Sequence, residues 1–396
     1  MRNLVVSLGL VAAMIVACGS SDSGTPLADG TSADADASVG NATDSGQPAP
    51  GPSDTGTSGD AGSTGSGKDA AAADAGRDAG PSDPSDPAVV AAASCKGPVP
   101  AAGARALPLP VYAGTCPVLA APPAVTTLAT SGGDRTFLVY RPTTPVAGET
   151  LPVVFLYHWL GGSADAMASA LDVQKSVDAR RFVAIIPTAK SDLPFRWPFE
   201  ANEPQSRIDE ELAFFDGMLA CVGAAFPVNK ECVSSVGVSA GALWTAQLAT
   251  QRSQRLSSIV SLSGGTGGAI VHGWTTPPHR LPALVLWGGP TDLFPSNLPI
   301  MNFEAASHDL LGNLTKDNHY LVECTHNCGH AVPPFDAPPA GGLQFDPVWR
   351  FVLDHPYWLP ASKSPYTGKP LPSAYPTWCG QGQGSATPRP ANAACP

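Results

Sequence analysis

An α/β fold, with a mostly parallel central sheet and helices on both of its faces, is the architecture the sequence predicts. Three observations carry that expectation. Strand-like and helix-like segments alternate from residue 94 onward, the βαβ rhythm of a parallel sheet. Several strand candidates are unbroken apolar runs, as suits strands covered on both faces. One short turn, Gly237-Val238-Ser239-Ala240-Gly241, passes directly from a strand into a helix.

Each element follows from local pattern. Residues 135–141 (RTFLVYR) read as a strand that Pro142 ends, and 151–157 (LPVVFLY) as a buried strand. The run 182–187 (FVAIIP) is a second buried strand. Residues 209–221 fit an amphipathic helix with acidic side chains in its first turn, where the helix dipole favours them. A strand is expected at 232–238, a helix at 243–250, and strands at 258–262, 283–287 and 320–323. A last helix spans 345–353, and the Pro- and Gly-rich tail after Pro360 is held by cysteines.

The N-terminal quarter has another composition. Residues 1–17 carry Arg2 and then a short apolar stretch ending in Ala17-Cys18, which resembles the lipobox of a bacterial lipoprotein signal peptide. Cys18 is then the lipidated residue and the membrane partner is reached through that anchor. Residues 18–92 are almost wholly Ala, Gly, Ser, Thr, Asp and Pro and are expected to be a disordered tether. Treated as a random coil of about 70 residues, such a tether reaches roughly 45 Å. It also explains the net charge of −11, since twelve Asp face only Lys68 and Arg77 between Cys18 and Val90. The remaining chain is close to neutral and has no basic patch, so no nucleic-acid partner is expected. Residues 93–396 form the folded domain, long enough for one large core, and a monomer is expected.

Of nine cysteines, eight remain besides Cys18, an even set suited to disulfides in an exported chain. Pairing by nearness in sequence gives Cys95–Cys116, Cys221–Cys232, Cys324–Cys328 and Cys379–Cys395. Cys324, His326, Cys328 and His330 also alternate with zinc-type ligands. Four alternate residues on one strand do not close a tetrahedron, so neither a metal nor another cofactor is expected.

The chemistry centres on Ser239. Gly-x-Ser-x-Gly occurs once in this chain, between a strand and a helix. In that setting small flanking residues permit a sharp turn, and the helix N-terminus directs N–H groups at developing negative charge. This is the nucleophile elbow of the α/β-hydrolase fold, whose partners follow in the order Ser, acid, His. Asp292, in the Gly288–Asp292 loop just after the 283–287 strand, is the expected acid, ahead of Asp309, Asp317 and Asp336. His330, beside Gly329, is the expected base, with His326 as its competitor. The oxyanion hole is expected from the N–H groups of Ala240 and Leu160, with Trp159 the next candidate after Leu160. Trp159, Trp197 and Trp244 lie near these loops and are candidate substrate-binding residues, with core packing as the competing role.

Together these residues resemble the secreted esterase family that includes polyhydroxybutyrate depolymerases, feruloyl esterases and acetyl xylan esterases. The resemblance spans about 134–359. It rests on the RTFLVYRP strand, His158 with Gly161-Gly162, the elbow, Gly288–Asp292 and Gly329-His330-Ala331-Val332-Pro333. It implies a Ser239–His330–Asp292 triad, a covalent acyl-enzyme, an ester substrate and no cofactor. Trp159 stands where that family usually has glycine. An inactive surface binding or adhesion protein, and a peptidase or acyltransferase, are the alternatives on the same scaffold, since fold alone does not set activity.

Overall fold

The computed structural model describes residues 83–395 except 120, 122–123, 194 and 297–299, so Cys18 and nearly all of the expected tether lie outside the described residues. Within the stretch read as tether, Pro87–Ala91 forms a short helix, α1. Asp86 caps it by accepting from the Ala88 N–H at 2.7 Å, and Val90 packs against Trp358 and Leu359.

Among the described residues nine strands form the main sheet. In chain order they include β1 (Thr126–Thr130), β2 (Gly133–Tyr140), β3 (Leu151–Tyr157), β4 (Val183–Pro187), β5 (Val228–Val238), β6 (Ser258–Leu262) and β7 (Ala283–Trp287). A two-strand ribbon, β8 (Leu293–Phe294) with β9 (Met301–Asn302), stands apart, and β10 (Leu321–Thr325) and β11 (Cys379–Gln381) complete the sheet. The order is β1-β2-β4-β3-β5-β6-β7-β10-β11. From β4 to β10 all neighbours are parallel, while β1, β2 and β11 pair antiparallel at the edges.

The apolar runs are buried on both faces because successive side chains point to opposite sides of a strand. Val153, Phe155 and Tyr157 of β3 join one core, and Val154 and Leu156 join the other. Strand β7 divides the same way, with Ala283, Val285 and Trp287 on the first side and Leu284 and Leu286 on the second. Helices α4 (Gln205–Ala225), α5 (Ala240–Arg252) and α6 (Phe303–Lys316) cover the first face. Helices α2 (Ala164–Ala170), α3 (Val173–Arg180) and α7 (Asp346–Asp354) cover the second. Each fully buried aliphatic or aromatic side chain contributes about 1.5–3 kcal/mol relative to exposure.

Two expectations are corrected here. Helix α4 begins at Gln205, directly after Pro204, so Asp209 and the glutamates after it fall beyond its first turn. Buried Glu211 is instead held by Arg135 at 2.9 and 3.0 Å and by Arg207 at 2.8 Å, which ties α4 to the start of β2. The disulfides are also not those of sequence neighbours: they join Cys95–Cys232, Cys116–Cys221, Cys324–Cys379 and Cys328–Cys395. The sheet is the reason for the first two. Cys221 on α4 belongs to one core and Cys232 on β5 to the other, so each takes a partner from its own side. Cys324 and Cys379 face each other in the β10–β11 register. Four disulfides mark a protein of an oxidising, exported environment. Among the described residues no helix is long and apolar enough to cross a membrane.

Candidate active site

Parallel register brings the carboxyl ends of β3, β5, β6, β7 and β10 into one row, through pairs such as Tyr157↔Gly237, Val238↔Leu262 and Thr325↔Trp287. The chain order reverses around β3 and β5, where open α/β sheets form their ligand crevice. Ser239 follows β5 at this edge.

Ser239 has φ 55° and ψ −120°, a conformation that costs a non-glycine residue about 1–3 kcal/mol. The flanking glycines make the turn possible by close approach. A Cβ on Gly237 would lie 2.1 Å from the Gly241 carbonyl oxygen, and one on Gly241 would lie 2.1 Å from that of Tyr157. The Ser239 N–H donates to the Leu262 carbonyl at 2.9 Å, and α5 begins at the next residue.

The three residues singled out from the sequence meet. Ser239 Oγ lies 2.8 Å from His330 Nε2, and His330 Nδ1 lies 2.7 Å from Asp292 Oδ1. The carboxylate only accepts, so Nδ1 carries the proton and Nε2 is left as an acceptor for the serine hydroxyl. Asp292 is fully buried, and its second oxygen accepts from the Gly288 N–H at 2.8 Å. The loops bearing acid and histidine pack backbone to backbone. The Gly329 N–H donates to the Gly288 carbonyl at 3.0 Å, and a Cβ on Gly288 would sit 1.9 Å from the Gly329 carbonyl oxygen. Cys328, two residues before His330, is bonded to Cys395, so the C-terminal tail anchors this loop from outside.

His326 has a different occupation. It is buried, its Nδ1 accepts from the Cys328 N–H at 3.1 Å, and burial pushes it down to about 4. It shapes the turn that presents His330. Cys324 and Cys328 are taken by disulfides, and no group of three or more metal-type ligands converges among the described residues.

The oxyanion candidates lie at the same edge. Ala240 is the first residue of α5, so its N–H has no acceptor within the helix. On the β3 side, the Trp159 carbonyl accepts from the Gly162 N–H at 3.0 Å and from His158 Nδ1 at 2.9 Å. In a trans peptide the next N–H, that of Leu160, points the opposite way. His158, which the sequence resemblance includes as part of the oxyanion loop and which is read there as structural rather than as a base, holds this loop. Its Nε2 accepts from the Ala189 N–H at 3.3 Å, its carbonyl accepts from Trp197 Nε1 at 2.8 Å, and burial lowers its pKa. The imidazole is thus a neutral positioning group.

The tryptophans divide. Trp159 is half-buried against Gly162. Trp197 and Trp244 are fully buried in the core, with no face left for a substrate, which corrects their candidate binding role. Two aromatics without a sequence signal stand at the site instead. Phe303, the first residue of α6, stacks on the His330 ring with centroids 4.1 Å apart and planes 14° apart. Phe294 approaches the same ring at 5.6 Å.

No protein-family model and no curated protein matches the chain. Solved structures do match its fold. Native sOPH superposes with a TM-score of 0.54 at 15% identity, over 68% of this chain and 97% of that one. A serine-to-cysteine variant of pOPH with DMSO gives 0.52 at 17% identity, over 69% and 98%. A serine-to-alanine variant of pOPH with pNPB gives 0.51 at 18% identity, over 68% and 96%. With the strand order and the elbow, these similarities define an α/β-hydrolase fold.

Proposed function

We propose that this protein is an exported serine esterase that hydrolyses carboxylic esters through a covalent acyl-enzyme. The observation that carries this reading is the hydrogen-bond chain Ser239–His330–Asp292, in the protonation pattern that lets an imidazole take the serine proton. Ser239 Oγ attacks the ester carbonyl carbon while its proton passes to His330 Nε2. The tetrahedral oxyanion lies between the N–H groups of Ala240 and Leu160. The C–O bond to the alcohol then breaks, and His330 returns the proton to the leaving oxygen. Water activated by the same imidazole attacks the acyl-enzyme and frees the acid and Ser239. Asp292 fixes the ring orientation and stabilises the imidazolium. No step calls for a cofactor.

In this reading Cys18 carries the lipid, the tether spans from the membrane surface, and the enzyme acts as a monomer on polyhydroxyalkanoate-like or plant cell-wall acyl esters. The test is hydrolysis of p-nitrophenyl butyrate beside the Ser239→Ala variant, with fluorophosphonate labelling of Ser239. Turnover and labelling that both vanish in the variant are expected; equal rates in the two proteins would defeat the proposal.

A further inference from the structure

His330 is enclosed on most sides. Its Nδ1 is taken by buried Asp292, its Nε2 faces Ser239, and one ring face lies against Phe303, itself buried. Phe294, whose ring centroid lies 5.6 Å from that of His330, and two further residues of the loops that carry Phe294 and His330 are apolar and open to solvent. Phe294 is 39% exposed, Ile300 56% and Val332 58%. Ile300 is joined to Phe294 through its N–H, which donates to the Phe294 carbonyl at 3.0 Å, and Val332 lies two residues beyond His330. Phe294 thus sets an exposed apolar ring beside the imidazole, and Ile300 and Val332 are exposed apolar residues of the same two loops.

Reaction geometry names the contact. His330 Nε2 must reach the leaving oxygen to protonate it, so groups bordering the open side of the imidazole border the alcohol half of the ester. We propose that Phe294, Ile300 and Val332 form an alcohol-side subsite and that the preferred substrates are esters of apolar alcohols rather than of sugars or polyols, which narrows the two substrate classes named above by setting aside the cell-wall acyl esters, whose alcohol is a sugar hydroxyl. This inference rests on the triad reading and adds a substrate class to it. Apolar surface covered at the rim lowers the barrier only while the alcohol is still attached, so the effect belongs to acylation and is read in kcat/KM.

The experiment keeps the acyl group constant: methyl, butyl, benzyl and glucose butyrates, with kcat/KM measured for each. Benzyl butyrate is expected about 3- to 10-fold above methyl butyrate, with the glucose ester no better than methyl. In Phe294→Ser and, separately, Val332→Ser, the benzyl-to-methyl ratio should fall toward one. A ratio is insensitive to the fraction of protein folded, so a poorly folding variant still reports. Equal kcat/KM across the four esters, or a benzyl preference unchanged in both variants, would overturn the subsite while leaving the esterase reading intact. Absence of any Ser239-dependent turnover would overturn both.

Discussion

Two serine–histidine pairs in this molecule have the same hydrogen bond and opposite circumstances. Ser239 Oγ and His330 Nε2 are 2.8 Å apart at the carboxyl edge of the sheet, and Ser364 Oγ and His355 Nε2 are 2.8 Å apart beneath α7. In the first pair Nδ1 meets the Asp292 carboxylate; in the second it meets the Phe351 carbonyl at 2.6 Å. A carbonyl holds the same tautomer but brings no full charge to balance an imidazolium. His355 is fully buried, and burial pushes it down to about 4, so it is neutral at pH 7. Ser364 lacks the elbow, sits in no helix N-terminus, and accepts from the Tyr366 N–H as well. The contact itself is therefore cheap to form. On the proposed reading, what separates a nucleophile from a packing contact is the charge behind the histidine and the helix N-terminus that follows the serine.

The largest effect expected from breaking this contrast is at the serines. Ser239→Ala should lower kcat on p-nitrophenyl butyrate by about 10⁴-fold or more, whereas Ser364→Ala should leave kcat within about twofold and instead lower Tm. Next is the charge behind the ring. Asp292→Asn keeps a hydrogen-bonding side chain of the same shape and should cost about 10³- to 10⁴-fold in kcat, chiefly by reversing the tautomer.

The stacked Phe303 should contribute less. In the proposed mechanism its ring face lies over an imidazole that becomes cationic in the transition state, an interaction of about 0.5–2 kcal/mol. Phe303→Leu should therefore reduce kcat by about 3- to 30-fold with KM little changed, and Phe303→Tyr should restore it. A Leu variant with the wild-type kcat would assign Phe303 to packing alone.

The remaining effect is on stability rather than turnover, and it is a pH dependence. The unfolded chain protonates histidine near 6.5, and His355 in the folded chain does so only near 4. Between those values the unfolded state binds more protons, so the stability due to neutral His355 is present above about pH 6.5 and is lost as pH falls toward 4. The difference is of the order of 3 kcal/mol, and His279 and His326, pushed down to about 4 by burial, act in the same direction. Wild-type Tm should fall between pH 7 and 4.5 more steeply than that of His355→Gln; parallel curves would remove His355 from the account.

Local pattern made much of this molecule legible. The β3, β4 and β7 strands are apolar runs, and a run buried on both sides announces itself without reference to its neighbours. The elbow is legible for a similar reason, since glycines two residues either side of a serine satisfy a contact made within one strand–turn–helix unit. Edge strand β1 is less so: only Leu128 and Thr126 in it are buried, and its existence depends on pairing with β2. Helix α4 shows the limit at a boundary, because Pro204 starts it four residues before the acidic pattern suggests.

What the sequence alone determined is the α/β class, the position of the turn at Ser239, and the order in which an acid and a histidine follow it, because periodicity, turn chemistry and chain order are properties of neighbours along the chain. The disulfide partners, the burial of Trp197 and Trp244, the positioning role of His158, and the placing of Phe303 and Phe294 about His330 were decided only by the tertiary structure. Each depends on which face of the sheet a side chain enters and which distant loop packs against it, and no local pattern encodes that choice. Cys221 and Cys232 make the point most simply: eleven residues apart in the chain, they lie on opposite sides of a sheet that no bond between them can cross.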